Sequence, residues 1–179
     1  MADVFDVLAS DHMQVRRLLV ELESGPTRSS GATTGQLALR KKMADQLVMR
    51  QSRHEALEEM YFWPAIREHV AGGDGLADNG IGQEQDGKMV LDELDKTEAA
   101  EPGFDALLGT FIRLARIHIQ FEEGTVWPQA RTALSADLAA RLGMRITEGS
   151  RHQAGAPPFG VNETGRKGRS NDSLWADCR

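Results

Sequence analysis

Two segments of the chain follow the same pattern, and that repeat limits what the chain can fold into more than any other feature. Residues 54–64 read HEALEEMYFWP and residues 118–128 read HIQFEEGTVWP. Both match H-x3-E-E-x3-W-P in register, 64 residues apart. A match at five positions, including two Trp-Pro pairs, is hard to attribute to chance. The repeat therefore predicts a fold with two similar halves.

The spacing within each copy suits metal binding. His54 and Glu58, like His118 and Glu122, are four residues apart, so on a helix each pair shares one face about 6 Å apart along the axis. Burying two such pairs without a counter-ion would cost free energy, and a metal removes that cost. Imidazole and carboxylate together suit iron, manganese or zinc, and the several carboxylates favour iron.

Helical periodicity predicts the fold class. Apolar residues recur at helical spacing in four long stretches and one short one: about 4–23, 36–70, 81–96, 104–134 and 136–145. No stretch alternates convincingly with period two, so we expect an all-α fold. Short loops between long helices favour an antiparallel up-down four-helix bundle with a short extra helix.

A change in composition predicts where the folded part ends. From Gly149 onward Gly, Pro, Ser, Asn and Arg dominate and the periodicity is lost. We therefore expect residues 1–148 to form the bundle and residues 149–179 to be a disordered tail.

Charge and cysteine content exclude several classes of protein. A net charge of −6 without a basic face argues against a nucleic-acid partner. No apolar run approaches the roughly 20 residues that a membrane span needs, and the N-terminus lacks the basic residues of a secretory signal. The single cysteine, Cys178, excludes a disulfide framework and a multi-thiolate zinc site. We expect a reducing cytoplasm as the location.

A further histidine lies on the predicted first helix. His12 is flanked by Leu8, Val15 and Leu19 at helical spacing. A single histidine on an apolar stripe is more often a hydrogen-bonded core residue. The two His-x3-Glu pairs elsewhere in the chain make a metal ligand the preferred interpretation.

These features resemble the hemerythrin-like HHE cation-binding family over about residues 3–146. The family places one histidine on the first helix, His-x3-Glu on the second and fourth, and a ligand on the third. The resemblance implies two non-haem iron ions with oxo and carboxylate bridges. It also implies that Glu58 and Glu122 are the bridges. The ligands it implies are His12, His54, Glu58, His118 and Glu122.

The predicted third helix departs from the family, which usually places a histidine there. Counting helical steps from Leu91 and Gly87 puts Glu84 on the inward face, so we expect Glu84 to be the substitute ligand. Gln85 is the weaker candidate because a neutral amide is a poor iron ligand. Three histidines and three glutamates would be richer in carboxylate than the oxygen-carrying members of the family. Carboxylates stabilise ferric iron, so redox chemistry or sensing is expected rather than oxygen carriage.

Several neighbours of the motifs are assigned to other roles. Glu55 and Glu59 are expected on the solvated surface, whereas Glu123 is balanced between surface charge and a role at the metal. His69 suits the end of a helix, where a cation complements the helix dipole. The proline of each Trp-Pro pair either bends its helix near the site or marks the end of that helix.

Three functions remain open from the sequence. The first is a di-iron protein that reacts with dioxygen, peroxide or nitric oxide, as a redox-stress sensor or a scavenging enzyme. The second is an iron-binding sensory or interaction module without turnover. The third is a structural bundle whose metal site has decayed, with the missing histidine of the third helix as the symptom.

Overall fold

The computed structural model describes residues 2–154, and in that range the chain is helical without a β-strand. The seven helices are α1 (Val4–Ser24), α2 (Thr34–Leu57), α3 (Trp63–His69), α4 (Gly73–Lys96), α5 (Phe104–Phe121), α6 (Trp127–Ala133) and α7 (Ala136–Ala154). The first π-turn (Glu58–Phe62) joins α2 to α3, and the second π-turn (Glu122–Val126) joins α5 to α6. The helices thus form five rods, which confirms the predicted all-α class.

Hydrogen bonds with side chains cap the N-termini of α1 and α2. Before α1, Asp3 accepts a hydrogen bond from the backbone N–H of Asp6, and Asp6 accepts one from Asp3 in return. Thr33 and Gln36 form the same reciprocal pair at the start of α2. Such capping boxes satisfy backbone donors that a helix leaves free at its first turn.

The rods enclose two apolar clusters with a polar layer between them. On α1, Leu8 belongs to one cluster and Val15 to the other, and His12 lies between them. Each of the other three long rods likewise contributes to both clusters, one on either side of the layer. The pairs of residues are Leu47 and Leu57, Ala77 and Leu91, and Ile119 and Val126. The polar residues between these positions are therefore enclosed by apolar side chains above and below.

Packing between helices fixes the level of that layer. Helix α1 packs on α2 and α5, and α4 packs on α2, α3 and α5.

In the described range no helix combines the length and apolar character needed to cross a membrane.

The last helix is longer than predicted. Helix α7 continues to Ala154 and packs on α1, with Leu142 and Ile146 buried at that contact. Gly143 lies against the backbone of Asp3, where a Cβ atom would come within 2.6 Å of the carbonyl carbon. Of the tail predicted from residue 149, the first six residues continue α7, and the rest lies outside the described residues. The disorder of the tail stays a prediction.

Helix α4 begins at Gly73 rather than near Ile81, so the predicted start of the third helix is wrong. Gly72, with φ +71°, precedes it in the left-handed conformation that glycine adopts without strain. Two glycines in the new segment allow close contact with α3, because a Cβ on Gly73 would lie 2.0 Å from the Ile66 carbonyl oxygen. Packing of these bare backbone surfaces outweighs the low helix propensity of glycine.

The prolines of the two Trp-Pro pairs do not end their helices. Pro64 and Pro128 occupy the first turns of α3 and α6, and the rods continue to His69 and Ala133. Each proline is the second residue after a π-turn, with the motif tryptophan between them. Proline has no backbone N–H, so one hydrogen bond of the rod is missing where the π-turn passes into the next helix.

Candidate metal centre

The polar layer between the apolar clusters holds all six side chains that the sequence analysis selects. All six are buried and belong to two overlapping groups, within each of which one potential ligand atom per residue lies within 4.8 Å of the others. The first group is His12, His54, Glu58 and Glu122, and the second is Glu58, Glu84 and His118. Four rods therefore supply the cluster.

Nitrogen and oxygen atoms converge closely in the first group. The Nε2 atom of His12 lies 3.2 Å from His54 Nε2 and 3.0 Å from Glu122 Oε2. The Nε2 atom of His54 lies 3.2 Å from Glu58 Oε2, across one turn of α2. The His-x3-Glu spacing thus does what helical geometry predicts, because both side chains of the pair face one point.

The second group lies beside the first and shares a residue with it. Glu58 belongs to both groups. The Nε2 atom of His118 is 3.9 Å from Glu84 Oε1 and 3.8 Å from Glu122 Oε2. Glu58 and Glu122 are thus the carboxylates that lie between the two sets of ligand atoms.

The hydrogen bonding of the cluster fits bound cations. Both carboxylate oxygens of Glu58 and of Glu122 are buried without a hydrogen-bond partner in the described part of the chain. The same holds for Glu84 Oε2, His54 Nδ1 and both ring nitrogens of His118. Buried polar atoms are normally satisfied, and leaving so many unpaired would be costly. Cations placed among these atoms would satisfy the carboxylate oxygens and one nitrogen of each imidazole.

Burial also changes the protonation of the carboxylates. It raises the pKa of Glu58 well above its usual range, and the nearby charges of Glu122 and Glu84 raise it further. It raises the pKa of Glu84 to about 9, although the hydrogen bond from Trp63 acts in the opposite direction. For Glu122 the effect of burial is outweighed by the close contact with His12 Nε2, at 3.0 Å, and by the neighbouring histidines, so its pKa is lowered. Without metal, Glu84 therefore keeps its proton at neutral pH.

The pKa values of two imidazoles in the cluster are shifted in opposite directions. Burial lowers the pKa of His118, which is therefore neutral and presents lone pairs at pH 7. Burial also acts to lower the pKa of His12, but the close contact with Glu122 and the hydrogen bond with Glu123 outweigh it, and the pKa is raised. When His12 is protonated, its charge offsets that of Glu122.

Glu123 supports the first group from outside. Its Oε1 lies 2.9 Å from His12 Nδ1, and Arg16 donates two hydrogen bonds to the same carboxylate at 2.9 and 2.7 Å. The ring of His12 also stacks on Trp127, with centroids 5.2 Å apart and planes 7° from parallel. These contacts hold the Nε2 atom of His12 toward the cluster, so Glu123 acts through His12.

Glu55 is not on the surface, and that prediction is wrong. It is 5% exposed and accepts a hydrogen bond from Gln51 at 2.9 Å, and burial raises its pKa to about 8. The reason is packing against the neighbouring helix, since α4 passes beside the carboxylate at Gly87, where a Cβ would lie 3.9 Å from Glu55 Oε1.

The remaining candidates stand apart from the cluster. His69 is exposed in the last turn of α3, as predicted, and Gln85 is exposed on α4. Asp11 approaches His54 Nδ1 only to 3.7 Å. Glu59 is half-buried and belongs to neither group.

A small cavity adjoins the second group. Its volume is about 10 Å³, enough for about one water molecule. The lining residues are Gln51, Glu55, Gln83, Glu84, Gly87, Phe111, Leu114, Ala115 and His118. The unpartnered polar atoms of this cavity include Gln51 Oε1 and Gln83 Oε1.

Comparison with known proteins identifies a family for this arrangement. The sequence model described as the hemerythrin HHE cation binding domain matches residues 3–130. A solved structure of a hemerythrin HHE cation binding domain-containing protein from Mycobacterium kansasii is similar, with a TM-score of 0.70 and 17% sequence identity. That likeness covers 86% of this chain and 89% of the other, and it shows a shared fold. No curated protein sequence matches the chain.

Proposed function

The chain belongs to the hemerythrin HHE cation-binding family, and from that premise we propose that it is a non-haem di-iron protein that reacts with a small oxidant. The candidate oxidants are dioxygen, peroxide and nitric oxide, and the role is redox or stress sensing or scavenging. Rods 4–24, 34–69, 73–96 and 104–133 would form an antiparallel up-down four-helix bundle around the two ions.

One observation carries the proposal: two groups of ligand atoms share Glu58. A single-ion site would need one group, whereas a shared carboxylate is what a pair of adjacent ions requires. In the proposed assignment His12 and His54 would hold the first ion, and Glu84 and His118 would hold the second. Glu58 and Glu122 would contribute carboxylate oxygens to both.

The donor set favours iron. Three imidazoles and three carboxylates combine nitrogen with hard oxygen donors, and no thiolate takes part. Two irons in such a site would supply one- and two-electron redox chemistry. The chain itself keeps the ligands dry, since apolar clusters lie on both sides of the layer. Glu123 fixes the ring of His12 from outside.

The cavity favours peroxide among the three oxidants. The oxygens of Gln51 and Gln83 face no donor in the described part of the chain, and both can accept hydrogen bonds. Hydrogen peroxide brings two O–H donors, whereas dioxygen and nitric oxide bring none. The volume of about 10 Å³ is that of about one water molecule, so peroxide enters only when the lining side chains move apart.

The test begins with metal content. Protein purified without added metal should contain about two irons per chain and absorb in the near ultraviolet as carboxylate-rich ferric centres do. Glu58→Ala should lower the iron content of both positions, because Glu58 belongs to both groups. Glu59→Ala, one residue along and in neither group, is the matched control.

Zinc alone, or colourless metal-free protein after iron supplementation, would contradict the proposal. Stopped-flow mixing of the iron protein with hydrogen peroxide, dioxygen or nitric oxide then separates the oxidants. Peroxide should change the spectrum fastest and be consumed over many cycles. Iron binding without consumption of any oxidant would instead support a sensory module without turnover.

A further inference from the structure

The two motif tryptophans occupy equivalent positions of the repeat but make different contacts. Trp63 and Trp127 each lie nine residues after the motif histidine, directly beyond a π-turn. Trp63 faces Glu84 on α4, whereas Trp127 faces His12 on α1. Each tryptophan therefore contacts a candidate ligand from a rod outside the repeat.

Trp63 reaches Glu84 across a gap that a glycine provides. Its indole ring occupies the place of a Cβ at Gly80, which would lie 2.3 Å from the ring. The indole N–H donates to Glu84 Oε1 at 2.5 Å, one helical turn further along α4. Trp63 is 1% exposed, so this bond has no competing water.

Trp127 makes no such bond. Its ring stacks on the His12 imidazole, and its buried Nε1 has no hydrogen-bond partner in the described part of the chain. Leu8 stands one turn before His12, where α4 has Gly80 one turn before Glu84. The tryptophan N–H therefore meets a carboxylate in one half of the molecule only.

Building on the proposed di-iron function, we propose that Trp63 is a positioning residue that enables Glu84 to serve as a ligand of the second ion. The N–H anchors Oε1 at 3.9 Å from His118 Nε2, while Oε2 has no donor among residues 2–154 and keeps its lone pairs free. A glutamate has more rotatable bonds than a histidine, so fixing it for coordination costs more entropy. The indole provides that restraint where the chain uses a carboxylate.

The experiment is a stepwise titration of metal-free protein with ferrous iron under anaerobic conditions. It compares the unmodified protein with Trp63→Phe and Trp127→Phe, and a competing chelator gives the two affinities. Trp63→Phe should weaken the second affinity about 10- to 100-fold, as loss of an outer-sphere hydrogen bond typically does, and leave the first unchanged. Trp127→Phe removes an equivalent indole that stacks on His12 and whose N–H has no partner in the described range, so any loss should fall on the first ion and the second affinity should not fall.

Equal losses in the two variants, or no loss in Trp63→Phe, would overturn the assignment. The melting temperature of each metal-free variant separates packing from positioning, since a purely structural Trp63 would lower that temperature and leave the second affinity intact. Uptake of fewer than two ions by the unmodified protein would count against the di-iron function itself. That result is read before any variant is compared.

A second measurement remains informative if Trp63→Phe does not fold. In Trp127→Phe/Trp175→Phe protein the only indole N–H is that of Trp63, because the chain has three tryptophans. Its proton resonance should lie downfield, exchange slowly and move when zinc, a diamagnetic probe, fills the second position. A resonance at the position of free indole that does not respond to zinc would overturn the proposal.

Discussion

The Nε2 atoms of His12 and His54 face each other at 3.2 Å, although the two residues come from different helices. Two ligands each about 2.1 Å from one ion, and at right angles to each other, are roughly 3 Å apart. The two imidazoles therefore already have the separation that shared coordination requires. Without a cation, the Nε2–H of one ring must donate a hydrogen bond to Nε2 of the other ring, and the accepting Nε2 must carry no proton.

Removal of a cluster histidine should abolish metal binding at its position. His54→Ala deletes a first-group ligand and His118→Ala a second-group ligand, so each variant should lose at least one ion. His69→Ala changes an exposed histidine at the end of α3 and should keep both. Metal analysis of the three purified variants checks this, and identical behaviour of all three would show that the ligand assignment is wrong.

Glu84 should behave as a ligand although the family usually has histidine there. Glu84→Ala should lower the occupancy of one ion and change the absorption spectrum, while Gln85→Ala should have little effect because Gln85 is exposed. Glu84→His should be tolerated and should move the spectrum toward that of a histidine-rich site. Two ions and an unchanged spectrum in Glu84→Ala would mean that α4 supplies no ligand at this position.

The metal-free protein should become less stable as pH rises. The pKa of Glu84 is about 9 in the folded chain against 4.5 as its ordinary value, so the folded state binds more protons between these limits. The stability that this group contributes is complete below 4.5 and is lost as pH rises toward 9. Glu55, with a pKa of about 8, acts with the same sign. Urea unfolding at about pH 5, 7 and 9 measures the change.

A matched variant separates Glu84 from the other groups. Glu84→Gln cannot ionise, so its metal-free form should lose less stability over the same pH range. Saturating metal should reverse the trend, because cations bind the ionised carboxylates and their affinity rises as protons leave. A metal-free protein that gains stability between about pH 5 and 9 would contradict the assigned pKa directions.

Two glycines of α4 should respond in opposite directions to alanine. Gly80→Ala places a Cβ against the Trp63 ring and should destabilise the protein by about 1–3 kcal/mol, as overpacking does. Gly82→Ala adds a Cβ with nothing within 4 Å and should stabilise it by roughly 0.5–1 kcal/mol. Thermal unfolding of the metal-free variants checks both signs. Similar effects of the two changes would rule out close contact between Trp63 and α4.

Removal of the chain after Ala154 should leave metal content and melting temperature unchanged. All six candidate ligands lie within residues 12–122, and the removed segment shows no periodic apolar face in its sequence. A large fall in melting temperature would show that residues 155–179 contribute to the core.

The sequence predicted the inward face of the cluster because helical spacing alone determines it. Glu84, Gly87 and Leu91 share one buried face of α4, as counting by turns indicates. The start of α4 could not be found in this way, because Gly73 and Gly80 are helical only through contacts with α3. Local propensity opposes a helix there, and packing between distant segments outweighs it.

Glu55 shows the same limit at a single residue. It lies next to His54 in the chain, and a helix places adjacent residues about 100° apart, so a surface position was the expected reading. Its burial depends on α4 approaching at Gly87, which spacing within α2 does not reveal. Likewise, no local propensity in the sequence predicts the π-turns. Both nevertheless begin four residues after a motif histidine.

The two π-turns also bear on how far the repeat extends. A π-turn adds one residue to a helical turn, and such insertions are rare and often mark functional sites. Here both occupy the same register of the repeat, Glu58–Phe62 and Glu122–Val126. The repeat therefore extends from the motif residues to the backbone of the two rods that carry them. The two halves differ in the partner rods, since α1 places His12 in the polar layer whereas α4 places Glu84, which Trp63 of the motif contacts.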